Sequence, residues 1–413
     1  MTGLQTLLTT YVDAGTVPGA VALVGGRDRA EFAVAGSSDT GGSAPMDRDS
    51  VFRIASITKP VTAAAVMMLV DEGRIALDEP VARQWLPELA SPSVVRRPDS
   101  PVDDVVPAAR AITVRDLLTF RAGYGFPSDF SLPAVGLLFS ELRQGPPQSE
   151  AVPAPDEWMA ALSRIPLLHQ PGDGWLYNTC SDILGVLIAR VSGSSLPGFL
   201  AERIFEPLGM TDTGFAIPAA ERHRLTGLYR PTPGGLEPVA SADGAWGGLP
   251  AFPAGAGGRF SPRPPPPARA RARGGGAPPL PGPPPGAGGL FSTAGDWLAF
   301  ARMLLAEGAS GGRQLLSPDS VRLMTANHLT PEQRASGTLF LEGQGWGFGG
   351  SVDVTDADPW NVPGRYGWIG GTGTAAHIVP ATGTVTILLS QVEMTGPTPP
   401  PLMRDFWRYA AGA

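Results

Sequence analysis

Ser56-Ile57-Thr58-Lys59 sets a hydroxyl and an amine three residues apart. On a helix that spacing turns the chain by ~300° and raises it ~4.5 Å, so the two side chains share a face. A serine hydroxyl attacks poorly until a neighbouring base takes its proton. Lysine can be that base only while its amine is neutral, a state favoured by desolvation against an apolar wall or by a nearby positive field. The chemistry open to such a pair is acyl transfer through a covalent acyl-serine. The tetrapeptide by itself is common, and its weight here comes from composition. Of 31 Lys and Arg residues, Lys59 is the only lysine. The excess of Ala, Gly, Pro and Arg is what a GC-rich gene produces, and a lysine then persists best where arginine cannot serve, at a site needing a removable proton. Chance survival of one surface lysine accounts for the count about as well on composition alone.

Two other segments could complete such a site. Tyr177, in Pro171-Gly172-Asp173-Gly174-Trp175-Leu176-Tyr177-Asn178, would present a phenol from a loop and relay a proton to the leaving group or from water. Tyr366-Gly367-Trp368-Ile369-Gly370-Gly371-Thr372-Gly373-Thr374 is a Gly-rich strand along which a substrate can approach the backbone, and a glycine N–H there could join that of Ser56 in an oxyanion hole. A tyrosine packed under a turn and a plain hairpin explain the same residues as simply.

The elements that would hold these residues are legible as periodicity. Leu4, Leu7, Leu8 and Tyr11 recur at helical spacing, and AVALVGG and AEFAVAG read as strands between glycine turns. Ser56 stands at the start of the helical run VTAAAVMMLVDEG, where the helix dipole favours negative charge. TVRDLLTF, EWMAALSRI, SDILGVLIARVSG and LPGFLAERIF are further helices, and after AGDWLAFARMLLAEG the strands AAHIVP and TVTILLSQV lead to a closing helix from Pro401. The expected organisation is a sheet domain built from both ends, 1–54 and 289–413, with a mainly helical domain over 55–254. Between them, 255–288 is a Pro/Gly/Arg run with five arginines and no acid; it cannot form a core and is expected to be disordered.

Composition excludes several functions. A net charge of -7 opposes nucleic-acid and anionic-membrane binding, so neither partner is expected. The lone Cys180 forms no intrachain disulfide and reads as a small buried hydrophobe. The N-terminus shows no basic region followed by a long apolar stretch, so a cytoplasmic location is expected. Gly308-Ala309-Ser310-Gly311-Gly312 fits G-x-S-x-G but follows a helix rather than a strand, and Gly345–Gly350 fits G-x-G-x-x-G but opens no helix. His169, His223, His328 and His377 are scattered, so no metal and no cofactor are expected.

With these residues in place, the chain resembles the serine β-lactamase and penicillin-binding-protein superfamily, in its class C-like branch with family VIII carboxylesterases and lovastatin-type acyltransferases. The stretches that carry the likeness are VFRIASITKPVTAAAVMMLVDEGRIALDEPV, AITVRDLLTFRAGYGF, PGDGWLYNTCSDILGVLIARVSG, IFEPLGMTDTGF and GAGGLFSTAGDWLAFARMLL, leaving out 255–288 and part of 88–107. The resemblance implies an α+β, β-lactamase-like (DD-peptidase-like) fold: an antiparallel sheet flanked by helices, an all-α domain, and a cleft between them. It implies Ser56 as nucleophile, Lys59 as base, Tyr177 as proton relay, and the Ser56 and Gly371 N–H groups as oxyanion hole. Trp368, Gly370, Asn178 and Tyr124 become candidate substrate contacts.

Two departures bear on substrate. The family's Tyr-x-Asn element reads Tyr177-Asn178-Thr179, so either Asn178 or Thr179 takes the amide's place. Its Lys-Thr-Gly or His-Thr-Gly strand reads Trp368-Ile369-Gly370, which offers an apolar wall where relatives hold a cation for the substrate carboxylate. The expected substrate is therefore a small-molecule ester, short-chain or of a bulky alcohol. The alternatives are an acyltransferase using the same acyl-enzyme, a β-lactamase, a D-amino-acid peptidase or amidase gripping a carboxylate with an arginine such as Arg365, and an idle scaffold.

Overall fold

The computed structural model describes residues 3–42, 44–142, 144, 154–240 and 289–412. The run 255–288, expected to be disordered, lies outside them.

Seven antiparallel strands form the central sheet: β1 (Gly19–Gly25), β2 (Ala30–Gly36), β3 (Gly345–Trp346), β4 (Ser351–Val352), β5 (Tyr366–Gly370), β6 (Thr374–Val379) and β7 (Thr384–Ser390), in the order β3-β4-β5-β6-β7-β1-β2. The two ends of the chain meet where β1 pairs with β7, with Leu23 opposite Ile387. Strand alternation divides the burial. Val21 and Leu23 enter the large core, while Ala20, Ala22 and Val24 face a smaller one under the terminal helices α1 (Gly3–Asp13) and α5 (Pro401–Ala411). Those helices place Leu4, Leu8, Met403, Phe406 and Trp407 there.

On the other face lie α2 (Lys59–Asp71), α3 (Thr179–Ser192) and α4 (Ala294–Leu305). α2 is buried from Lys59 through Leu69, which explains why its sequence is nearly all apolar instead of striped. Its small residues allow close approach: Gly349, at φ 74°, sits where an added Cβ would come 2.8 Å from Ala63 and 2.5 Å from the Lys59 carbonyl oxygen. The large core runs without a break from Val21 on the sheet to Leu184 on α3, so the helical part and the sheet share one apolar interior.

The rejected motifs have plain structural roles. Gly308 to Gly312 belongs to a small hairpin whose Gly311 and Gly312 take φ of 56° and 77°, and Gly345–Gly350 turns between β3 and β4. Among the described residues no single helix is long and apolar enough to cross a membrane.

Candidate active site

Ser56 is held at a bend. The strand Phe52–Arg53 ends, Ala55 takes φ 46°, and a 3-10 turn over Ala55–Thr58 runs directly into α2. A left-handed alanine costs roughly 1–2 kcal/mol, so neighbouring contacts must over-determine the bend. They do. The Thr374 hydroxyl donates to the Ile54 carbonyl at 2.9 Å and the Thr372 hydroxyl to that of Arg53 at 2.5 Å. The Ile54 N–H donates to Leu290, and Trp297 Nε1–H donates to the Ile57 carbonyl. Thr372 and Thr374 escape sequence reading because nothing in a Gly-Thr-Gly-Thr run says what the hydroxyls will face.

Lys59 Nζ lies 2.7 Å from Ser56 Oγ and 4.7 Å from the centre of the Tyr177 ring, with Lys59 only 1% exposed. The one lysine is thus a buried residue beside the serine, and the surface-lysine explanation of the count falls. Tyr177 arrives from the loop before α3. Its N–H and carbonyl both pair with Phe126, and Trp368 Nε1–H donates to its hydroxyl oxygen at 2.7 Å. Asn178, next in the chain, takes φ 82° and ψ -68° while the Thr179 N–H reaches back to the Tyr177 carbonyl. That is a γ-turn of the strained, positive-φ form.

The strand β5 reaches the same place. Gly370 stands against the bend: a Cβ there would lie 2.5 Å from the Ile54 carbonyl oxygen and 2.2 Å from Thr374 Oγ1. Gly371 is open, with nothing within 4 Å of an added Cβ. Among the described residues the Ser56 and Gly371 N–H groups donate to no acceptor. Ser56, Lys59, Tyr177 and Trp368 are thus linked contact by contact, and Gly371 follows the residue that presses on the bend.

Other candidates move. Gly370 packs behind the nucleophile, so a role in touching substrate gives way to one in backbone approach. Tyr124 is 2% exposed, and burial pushes its hydroxyl pKa up. It is a core residue set between Gly123 and Gly125, both at positive φ. Thr179 is fully buried and donates to Gln144 Oε1, whereas Asn178 is partly exposed, so of the two only Asn178 keeps an accessible side chain. Arg365, the residue before β5, points to the opposite face of the sheet from Trp368. It is paired with Asp353 at 3.5 Å and stacked on Trp407 of α5, while Trp368 faces the large core. Burial raises the Cys180 thiol to about 12, as suits a core residue. Among the described residues no group of three or more His, Cys, Asp or Glu is placed to hold a metal ion.

This fold and its serine–lysine bend define the class, and the chain belongs to the Beta-lactamase family, whose sequence profile matches residues 4–401. It is 36% identical over 398 residues to protein Rv1367c of Mycobacterium tuberculosis, covering 94% of this chain and 89% of that one. It is 32% identical to esterase EstB of Burkholderia gladioli over 388 residues, 92% of this chain and 88% of the other. The structure of EstCE1, a hydrolase with promiscuous acyltransferase activity, superposes with a TM-score of 0.73 at 23% identity, covering 98% and 97% of the two chains.

Proposed function

We propose that the protein is a serine carboxylesterase working through an acyl-enzyme on Ser56. Lys59, in its neutral form, takes the Ser56 proton as Oγ attacks the ester carbonyl. The oxyanion is held by the N–H groups of Ser56 and Gly371, which donate to no acceptor among the described residues. The tetrahedral species collapses, the C–O bond to the alcohol breaks, and the proton on Lys59 passes through Tyr177 to the departing alkoxide. Water then repeats the sequence against the acyl-serine and releases the acid. An alcohol in place of that water makes the same intermediate an acyl donor.

The observation that carries the ester reading is the bond from Trp368 Nε1–H to the Tyr177 hydroxyl oxygen. Because that oxygen accepts from Trp368, the phenol's own O–H is left to donate to the leaving group. The indole also occupies the place where a carboxylate-binding cation would stand. No second lysine exists, and Arg365 is turned to the far face. The EstB relationship supports the same class.

Turnover of p-nitrophenyl butyrate should exceed that of a chromogenic cephalosporin, and Ser56→Ala should reduce ester turnover by at least about 10³. Ester hydrolysis persisting in Ser56→Ala, or faster cephalosporin turnover, would overturn the assignment. Trp368→Phe keeps the apolar wall and removes the donor to Tyr177. A fall in kcat of about tenfold with KM nearly constant is expected, since one hydrogen bond contributes about 1 kcal/mol or somewhat more. A change confined to KM would show that the indole only binds substrate.

A further inference from the structure

Among the described residues, two exposed aromatic rings stand at the end of a row that begins at Tyr177. Among the described residues the exposed large hydrophobics are Val102, Phe130 (42%) and Phe139 (38%), and both phenylalanines belong to one aromatic track. From Tyr177 the ring centres step 4.7 Å to Phe340, then 6.0 Å to Phe130, then 6.5 Å to Phe139. Phe126, whose backbone pairs with Tyr177, stacks 5.7 Å from Phe130 and 5.2 Å from Phe139.

The track is braced. The Ser128 hydroxyl donates to the Ser336 carbonyl and accepts from the Leu339 N–H, tying the loop that carries Phe130 to the turn that carries Phe340. Isolated exposed phenylalanines need no explanation, but these two are joined through the largely buried ring of Phe340 to Tyr177, so the exposed end of the row is fixed relative to the phenol.

We propose that this row is the subsite for the alcohol arm of the ester, and that the arm is a long apolar group. The proposal rests on the esterase reading above. Tyr177 protonates the departing alkoxide, so the surface continuous with Tyr177 lies on the alcohol side of the carbonyl and not on the acyl side. An octyl chain spans roughly 9 Å, taking C–C bonds of ~1.5 Å at tetrahedral angles, enough to run along the exposed edge of Phe340 to the near edge of the Phe130 ring. Each methylene moved from water onto an apolar wall multiplies affinity by about fourfold when fully covered. The half-open rings Phe130 and Phe139 give a part of that.

The test compares ethyl acetate, octyl acetate and ethyl octanoate by pH-stat, using the whole chain and the double variant Phe130→Ala/Phe139→Ala. Both side chains are partly exposed, so the variant is expected to fold. The double variant should lose about tenfold in kcat/KM on octyl acetate and stay within twofold of the wild type on the two ethyl esters. Loss on ethyl octanoate instead, or no loss on any ester, would overturn the proposal. Binding of 1-octanol, read by tryptophan fluorescence, is a second measurement that needs no turnover. Its Kd should lie at least tenfold below that of ethanol and rise in the double variant. An unchanged Kd, or no octanol binding, would overturn the subsite. A wild type that hydrolyses no ester yet binds octanol in this way would overturn the esterase reading alone. A wild-type dimer that the double variant dissociates, with ester ratios unaltered, would assign the row to self-association and overturn the proposal.

Discussion

Lys59→Arg should lower ester turnover by at least about 10³ while the circular dichroism spectrum stays that of the wild type. Arginine keeps the positive charge and the long stem but holds its proton at any working pH, so it cannot accept the one on Ser56. A role for Lys59 in electrostatics alone would leave most activity in this variant, and turnover within tenfold of the wild type would remove it as the base. Because Lys59 is 1% exposed on a helix buried along its length, the larger guanidinium could disturb α2. Lys59→Met, close in volume and without charge, provides the control. It should fold at least as well, because it removes a buried amine, and should be equally inactive. Labelling of Ser56 by a serine-directed fluorophosphonate should fall in both variants, which a packing defect away from the serine would not produce.

Gly370→Ala and Gly371→Ala should differ sharply although the residues are adjacent. At Gly370 the new methyl would meet the Ile54 carbonyl oxygen at 2.5 Å and Thr374 Oγ1 at 2.2 Å. The carbonyl belongs to the backbone immediately before the strained Ala55, so it cannot give without moving Ser56. A loss of about 2–3 kcal/mol in stability is expected from such overpacking, together with loss of most activity. At Gly371 the methyl meets nothing within 4 Å, and the thermal midpoint should stay near that of the wild type. Thermal unfolding followed by ester turnover separates the two. Equal midpoints for both variants would show that β5 does not press on the bend.

Much of this arrangement was open to direct reading. The solitary lysine at three residues from a serine marked the pair, and the pair does sit at a helix start, with a 3-10 turn in place of the first α-helical turn. Strand periodicity at both ends of the chain pointed to one sheet made from them, and β1 pairs with β7. The Thr113–Asp116 capping box shows the same local logic, because side chains three residues apart satisfy each other whatever the rest of the chain does.

The residues misjudged are those whose meaning depends on a distant partner. Tyr124, a candidate substrate contact by resemblance, lies between two glycines that let the backbone of His169 and Tyr177 pass close by, and its ring is buried. Alternation carried from Arg365 into β5 separates it from Trp368, yet alternation does not say which face of a sheet carries the site. That is decided by α5, which places Trp407 against Arg365 on one side, and by Tyr177, which meets Trp368 on the other. Thr372, Thr374 and the aromatic row of Phe340, Phe130 and Phe139 acquire roles only when segments hundreds of residues apart are brought together.

By itself, then, the amino-acid sequence determined the chemistry available, because a removable proton, a hydroxyl and an absence of spare lysines are properties of residue types and short spacings. Tertiary structure alone decided the orientation of that chemistry: which N–H groups are left free, which carbonyl Gly370 presses against, and where an apolar chain can lie. Those are matters of distance between segments, set by sheet register and core packing, and neither is written at any one position in the chain.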